Sequence, residues 1–194
     1  MKKVIWGLCL FFLGTTMVFA ETDLAPNAKS ALLMDFDSGE ILYKKNENEA
    51  LAPASMTKIM SMLLIMEEID AGRLSFEDDV TISYAASKMG GSQIFLQTGE
   101  VYKVEQLLKG IAIASGNDAV VAMAEKVSGS VDAFVEKMNE RAKGLGMNDT
   151  TFVNCCGLDV DGHMTSAYDV ALMSRELTTK YPQIHNYSTI WMDT

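Results

Sequence analysis

The stretch PASMTKIMSMLLIMEEIDA, running from Pro53 to Ala71, carries a charge where a core helix should have none. From Met56 to Met66 the apolar residues Met56, Ile59, Met60, Met62, Leu63, Leu64, Ile65 and Met66 fall on every side of a helical wheel. That pattern predicts a helix buried on all faces rather than one lying on a surface. The acids Glu67, Glu68 and Asp70 come only at its far end, before Gly72, so Lys58 is the single charge of the first turns. A lysine in such a setting has to be paired or neutral.

Ser55 lies three residues before Lys58, a spacing that stacks two side chains on one helix face and lets hydroxyl and amine touch. A serine hydroxyl is a poor nucleophile until a base takes its proton. Bringing a lysine down from its ordinary range to titrate at neutrality costs about 4.6 kcal/mol against the charged form. Full burial delivers an effect of that size, and a second cation nearby would make it comfortable. The competing reading is bland: Ser55 follows Pro53 and Ala54, so it also suits an ordinary helix cap, with Lys58 reaching out to water.

What separates the two is a second motif. Ser115-Gly116-Asn117 occurs once, at a break between two helical stretches, and Ser-x-x-Lys followed by Ser-x-Asn is the signature of penicillin-binding proteins and their relatives. The chain resembles the low-molecular-mass penicillin-binding proteins that are serine-type D-alanyl-D-alanine carboxypeptidases, the peptidase S11 group. The likeness runs from Ala28 onward. It rests on Pro53-Ala54-Ser55-Met56-Thr57-Lys58, Gly90-Gly91-Ser92, Ala114-Ser115-Gly116-Asn117-Asp118-Ala119 and Leu145-Gly146-Met147. Thr151-Phe152-Val153-Asn154, Gly157-Leu158 and Gly162-His163-Met164-Thr165-Ser166-Ala167-Tyr168-Asp169 complete it.

The resemblance implies an α+β fold of the β-lactamase/transpeptidase type, with a helical subdomain around the buried nucleophile-bearing helix and an antiparallel sheet. It also implies roles. Ser55 is the nucleophile, Lys58 its general base and Ser115 a proton relay, while Asn117 holds the substrate amide and the Lys58 side chain. Gly90-Gly91-Ser92, by residue type simply a turn, becomes a loop bordering the cleft, with Ser92 a candidate substrate contact. The implied substrate is a peptidoglycan stem peptide ending in D-Ala-D-Ala, and β-lactam antibiotics are the implied acylating inhibitors. His163 sits where the family often has a histidine and is read as a structural hydrogen-bonding residue near the cleft. Thr165, Ser166 and Asp169 are read as capping residues.

Composition agrees with export and argues against nucleic acid. Residues 1–20 hold Lys2 and Lys3, an apolar run from Val4 to Leu13 and small residues before a cleavage point after Ala20, the pattern of a secretory signal peptide. Its apolar run is shorter than a bilayer span. Without those residues 14 bases face 26 acids, a net charge of −12, where a nucleic-acid partner needs a basic footprint. Outside the cytoplasm thiols tend to oxidise, and Cys155 and Cys156 are adjacent, too close for relaxed bridge geometry, so free small hydrophobes in a turn is the first reading. These cysteines with His163 and His185 lack metal-ligand spacing, and neither metal nor cofactor is expected.

Along the chain, 21–27 reads as a linker and 28–194 as the N-terminal part of a catalytic domain. Ala31–Phe36 and Ile41–Tyr43 read as strands joined by the turn Asp37-Ser38-Gly39-Glu40. Asp79–Ser83 reads as extended, Tyr84–Lys88 as a helical turn, and Val104–Ala114, Ala119–Val127 and Val131–Leu145 as helices. Ser166-Ala167-Tyr168-Asp169 fits a capping box opening a helix to about Thr179. Phe152-Val153 and Tyr187–Trp191 read as extended.

The family's Lys-Thr-Gly motif does not occur in these 194 residues. The expectation is therefore a piece of a longer reading frame with an incomplete sheet, half an oxyanion hole and weak or no activity of its own. Peripheral membrane association would depend on a segment beyond it. Two rivals stay open. One is a class A β-lactamase-like hydrolase, although 150–161 lacks the glutamate such an enzyme uses, with an esterase of the same fold behind it. The other is a non-catalytic penicillin-sensing or peptidoglycan-binding relative.

Overall fold

The computed structural model describes residues 23–191. The expected signal segment and the start of the linker lie outside the described residues. Two strands come first, β1 (Ala31–Met34) and β2 (Ile41–Lys45), antiparallel with Ala31 opposite Lys45 and a bulge between Leu33 and Met34. Their turn is held from a distance. Gly39 takes a φ of +77°, and the Arg175 guanidinium donates to the Phe36 and Asp37 carbonyls at 2.9 and 2.7 Å. Asp23, inside the expected linker, accepts from Tyr43 and Lys45, which depresses its carboxyl to about 2.

A short 3₁₀ turn (Ala54–Met56) leads into α1 (Thr57–Asp70), the axis of the molecule. Met60, Leu63, Ile65 and Met66 are fully buried, as an all-round apolar helix requires. It packs against α3 (Val104–Ala114), α4 (Asn117–Ser128), α5 (Val131–Gly144) and α6 (Ala167–Lys180). At its acidic end, Glu67 accepts from Arg141 at 2.6 Å, and Arg141 also reaches Glu176, itself paired with Lys180 at 2.7 Å. The late acids of the central stretch thus tie α1 to α5 and α6.

A second two-stranded sheet pairs β3 (Asp79–Thr81) with β4 (Val101–Lys103), with α2 (Tyr84–Ser87) between them in sequence. The antiparallel strands therefore form two separate ribbons. β4 was not foreseen, because three residues give no periodicity to read. Phe152-Val153 is not a strand; Thr151 forms one isolated bridge to Met164. Nor is Tyr187–Trp191 extended: after the 3₁₀ turn Pro182–Ile184, α7 (His185–Ser188) contains Tyr187, which is buried and packs on Phe76. Its aromatic content reflects packing rather than strand propensity.

The capping box at α6 is half formed. Ser166 Oγ accepts from the Asp169 amide at 3.2 Å, but the Asp169 carboxylate accepts instead from the Asp149 amide and the Thr150 hydroxyl, at 2.8 and 2.7 Å. Among the described residues no helix is long and apolar enough to cross a membrane.

Candidate active site

The chain enters α1 through a strained turn. Ala54 has a φ of +48°, a left-handed conformation that costs a non-glycine residue about 1–2 kcal/mol. Gly157 lies against it: a Cβ on that glycine would stand 1.8 Å from the Ala54 oxygen. The turn sets Ser55 outward and Lys58 inward. Ser55 is exposed, while Lys58 is only 3% exposed. The helix-cap reading fails on both counts, since Met56 rather than Ser55 occupies the cap of α1, with no side-chain bond, and Lys58 does not reach water.

Lys58 Nζ lies 3.2 Å from Ser55 Oγ and 2.8 Å from the Cys156 carbonyl, to which it donates. Burial lowers its titration from the ordinary lysine value, against a smaller opposing pull from the two cysteines. The structure thus supplies the desolvation that the sequence required. Ser115, at the end of α3, takes a φ of +54°, and its hydroxyl donates to Ser55 Oγ at 3.0 Å. Two backbone reversals, at Ala54 and Ser115, bring together residues sixty positions apart in sequence.

Asn117 does not hold the Lys58 side chain, as the resemblance implied it would. Its side-chain amide donates to the Gly90 carbonyl at 2.7 Å and its backbone N–H to the Ser92 carbonyl at 2.7 Å, whereas the Lys58 amine turns to Ser55 and Cys156. Ser92 therefore enters through its carbonyl, with its side chain exposed.

The 151–157 segment is strapped along α1. Ser61 Oγ donates to the Cys155 carbonyl at 2.8 Å, one turn beyond the Lys58 contact with Cys156. Asn154 shapes the turn that presents that carbonyl, its Oδ1 accepting from the amides of Cys156, Gly157 and Leu158. Both cysteines are free and buried, with sulfurs 3.7 Å apart; the contact to Cys156 and burial keep the Cys155 thiol protonated. Neither Asn154 nor the Cys156 carbonyl was foreseen as part of this centre. A turn-forming asparagine before Cys-Cys-Gly was the one available signal. Beside the Ala54 turn lies a cleft of about 230 Å³, lined by Ala54, Gly157, Leu158, Asp159 and His163.

His163, 2% exposed, completes the strap. The Val153 amide donates to its Nδ1 at 2.9 Å, so the ring proton sits on Nε2 and is shared with Thr57 Oγ1 at 2.7 Å. Burial lowers its pKa from the ordinary histidine value, and a proton added at Nδ1 would face the Val153 N–H. In the window between the lowered folded value and the ordinary one, the unfolded chain binds more protons than the folded chain, so stability falls as pH falls through that window. We expect His163→Gln, whose amide offers one donor and one acceptor but does not titrate, to flatten this loss. Urea midpoints at pH 7.5 and 5.0 for the two proteins check it; equal pH sensitivity would contradict the assignment.

His185 lies exposed on α7, away from these residues in sequence and burial. Among the described residues no cluster of three or more histidine, cysteine or acidic side chains could hold a metal ion.

Comparison with known proteins matches this arrangement to one family. Residues 17–193 fit the Peptidase_S11 family model, D-alanyl-D-alanine carboxypeptidase. The chain is 56% identical over 172 residues to the D-alanyl-D-alanine carboxypeptidase DacF of Bacillus subtilis, covering 89% of this chain and 44% of that protein. It is 37% identical over 187 residues to DacC of Escherichia coli, covering 91% and 47%. It spans less than half the length of each. Among solved structures, the carboxypeptidase DacD of Francisella tularensis superposes with a TM-score of 0.84 at 35% identity, covering 89% of this chain and 42% of that one. Penicillin-binding protein D2 of Listeria monocytogenes, in its ampicillin-bound form, gives 0.74 at 28% identity, covering 84% and 66%. The α+β architecture is thus that of the penicillin-binding carboxypeptidases, and the chain belongs to the D-alanyl-D-alanine carboxypeptidase family, peptidase S11.

Proposed function

We propose that this chain carries the nucleophile centre of a serine carboxypeptidase that removes the terminal D-alanine from peptidoglycan stem peptides. In this reading residues 28–194 belong to its catalytic domain, and residues 1–20 are a signal peptide that exports the protein to the cell envelope, with 21–27 as linker. The observation that carries the proposal is one continuous run of contacts, from the Cys156 carbonyl through Lys58 Nζ and Ser55 Oγ to Ser115 Oγ, with the amine buried and the nucleophile open.

Ser55 Oγ attacks the carbonyl carbon between the two alanines while neutral Lys58 takes the hydroxyl proton. Collapse of the tetrahedral intermediate breaks the amide bond. Ser115, bonded to Ser55 Oγ, gives its hydroxyl proton to the departing D-alanine amine and takes in its place the proton held by Lys58, whose amine is neutral again. Water then attacks the ester, its proton moving to Lys58 and on to the Ser55 oxygen as the acyl bond breaks, so that Ser55 and the neutral amine are regenerated. Asn117 and the loop carrying Ser92 hold the substrate backbone. A β-lactam ring enters by the same attack, and its leaving amine stays tethered, which favours a persistent adduct; a structural relative has been solved with ampicillin bound.

Mass spectrometry after incubation with benzylpenicillin tests the reading. With no Lys-Thr-Gly in these residues, formation of the adduct is more informative than its turnover. The expected result is an adduct on Ser55 that is lost in Ser55→Ala. An adduct elsewhere, or one surviving Ser55→Ala, would refute it. Release of D-alanine from a stem peptide separates an enzyme from a penicillin sensor, and rapid hydrolysis of a chromogenic cephalosporin would instead favour a β-lactamase.

A further inference from the structure

Asp118 follows the Ser115-Gly116-Asn117 motif and takes no part in the proton transfers above. It is a carboxylate only 1% exposed at the first turn of α4. Its oxygens accept from the Ile94 amide, at 3.1 Å to each oxygen, from the Leu96 amide at 3.1 Å, and from the Ala119 amide at 2.9 Å. The residue between the two loop donors is Phe95, with a φ of +62° and 75% of its surface exposed. Alternate amides converging on one anion across a left-handed residue make a backbone nest. Here the anion is the protein's own side chain.

This nest explains a backbone conformation that Phe95 would otherwise avoid. Its neighbours point inward: Leu96 is buried, and Ile94 packs so tightly on Gly110 that a Cβ there would stand 2.6 Å from Ile94 Cδ1. The same loop supplies the Gly90 and Ser92 carbonyls that receive the Asn117 side chain and amide. A closed ring results, in which Asn117 donates to the loop and Asp118 accepts from it.

We propose that Asp118 is a positioning residue for the penicillin- and peptide-binding face of this centre: its carboxylate, gripped by the amides on either side of Phe95, fixes the 90–97 loop and through it the Asn117 side chain. It acts on binding rather than on bond making, because its contacts go to the loop and not to the Ser55–Lys58 pair. This consequence rests on the reading of Ser55 as the acylated residue; the clamp itself does not.

The experiment uses the full chain, with backbone amide exchange followed by NMR and penicillin labelling followed kinetically. In the unmodified protein the Ile94 and Leu96 amides are expected to exchange at least about tenfold more slowly than unbonded loop amides. Asp118→Asn, which keeps one acceptor oxygen but sets an NH2 group against the remaining donors, should weaken this protection. It should also raise the half-saturating concentration of a fluorescent penicillin by about tenfold, with a smaller change in the limiting rate. Phe95→Gly added to Asp118→Asn should recover part of the half-saturation but not the amide protection, since glycine adopts the left-handed conformation without strain yet supplies no acceptor.

Unprotected Ile94 and Leu96 amides in the unmodified protein would overturn the clamp, and this measurement stands even if Asp118→Asn does not fold. So would a folded Asp118→Asn with exchange and labelling unchanged, or a fall in the limiting rate alone. Stability loss without the shift in half-saturation would reduce Asp118 to a structural residue and equally overturn the proposal. Protected amides in a chain that no penicillin labels would sink the reading of Ser55 and leave the clamp supported.

Discussion

Lys58→Met is expected to slow acylation of Ser55 by on the order of 10³-fold while leaving the chain folded and more stable at neutral pH. The two effects have one origin. The amine is buried in an apolar helix, and burial lowers its titration, so the folded state disfavours the ammonium that the unfolded state carries freely. Between the lowered folded value and the ordinary lysine value the unfolded chain binds more protons, and stability rises with pH across that window. Methionine has a similar unbranched volume and no charge, so it relieves this cost and removes the slope. Against that stands the Cys156 carbonyl, which loses its donor at about 1 kcal/mol. On the proposed role of Lys58, its removal leaves the Ser55 hydroxyl with nothing to take its proton. Urea midpoints from pH 6 to 10, read beside penicillin labelling rates, check both halves. In the unmodified protein the labelling rate should climb with pH and level off below the ordinary lysine range. A labelling rate unchanged in Lys58→Met would end the general-base role.

Much of this centre is legible from residue types, and what is not has a common physical cause. The all-round apolar character of Met56–Met66 announces a buried helix, and the three-residue spacing then places Lys58 beside Ser55. Ser115 could be paired with them only through the family resemblance, because its approach depends on the backbone reversal at the end of α3. The partners of Lys58 and Asn117 were missed or misassigned for a different reason. They are carbonyl oxygens, of Cys156, Gly90 and Ser92, and every residue type has one, so composition carries no trace of which will be used. Asp169 shows the opposite failure: its side chain announces a capping box, but a pair of donors on Asp149 and Thr150 takes the carboxylate. Local motifs lose wherever tertiary donors compete for the same oxygen.

The strongest test of the geometry is a single methyl group. Gly157→Ala is expected to destabilise the chain by more than about 3 kcal/mol and to abolish penicillin labelling. The added Cβ would stand 1.8 Å from the Ala54 oxygen, 2.4 Å from its carbonyl carbon and 2.9 Å from Thr57 Oγ1, and the first two are backbone atoms that cannot rotate aside. Relief requires moving either the Ala54 turn, which sets Ser55, or the 154–157 turn, which offers the Cys156 carbonyl to Lys58. Both routes separate Ser55 from Lys58. The φ of +86° at Gly157 adds a conformational cost of its own, and Gly162→Ala isolates it. Gly162 has a φ of +82°, but its nearest atom to a new Cβ is a Val153 methyl at 4.0 Å, so that variant should lose only about 1–2 kcal/mol and keep labelling. Chemical denaturation with parallel labelling of the two variants decides the matter. If Gly157→Ala lost no more stability than Gly162→Ala and still reacted, the close approach of these two turns would not be what holds Ser55 in place, and the strain at Ala54 would need another support.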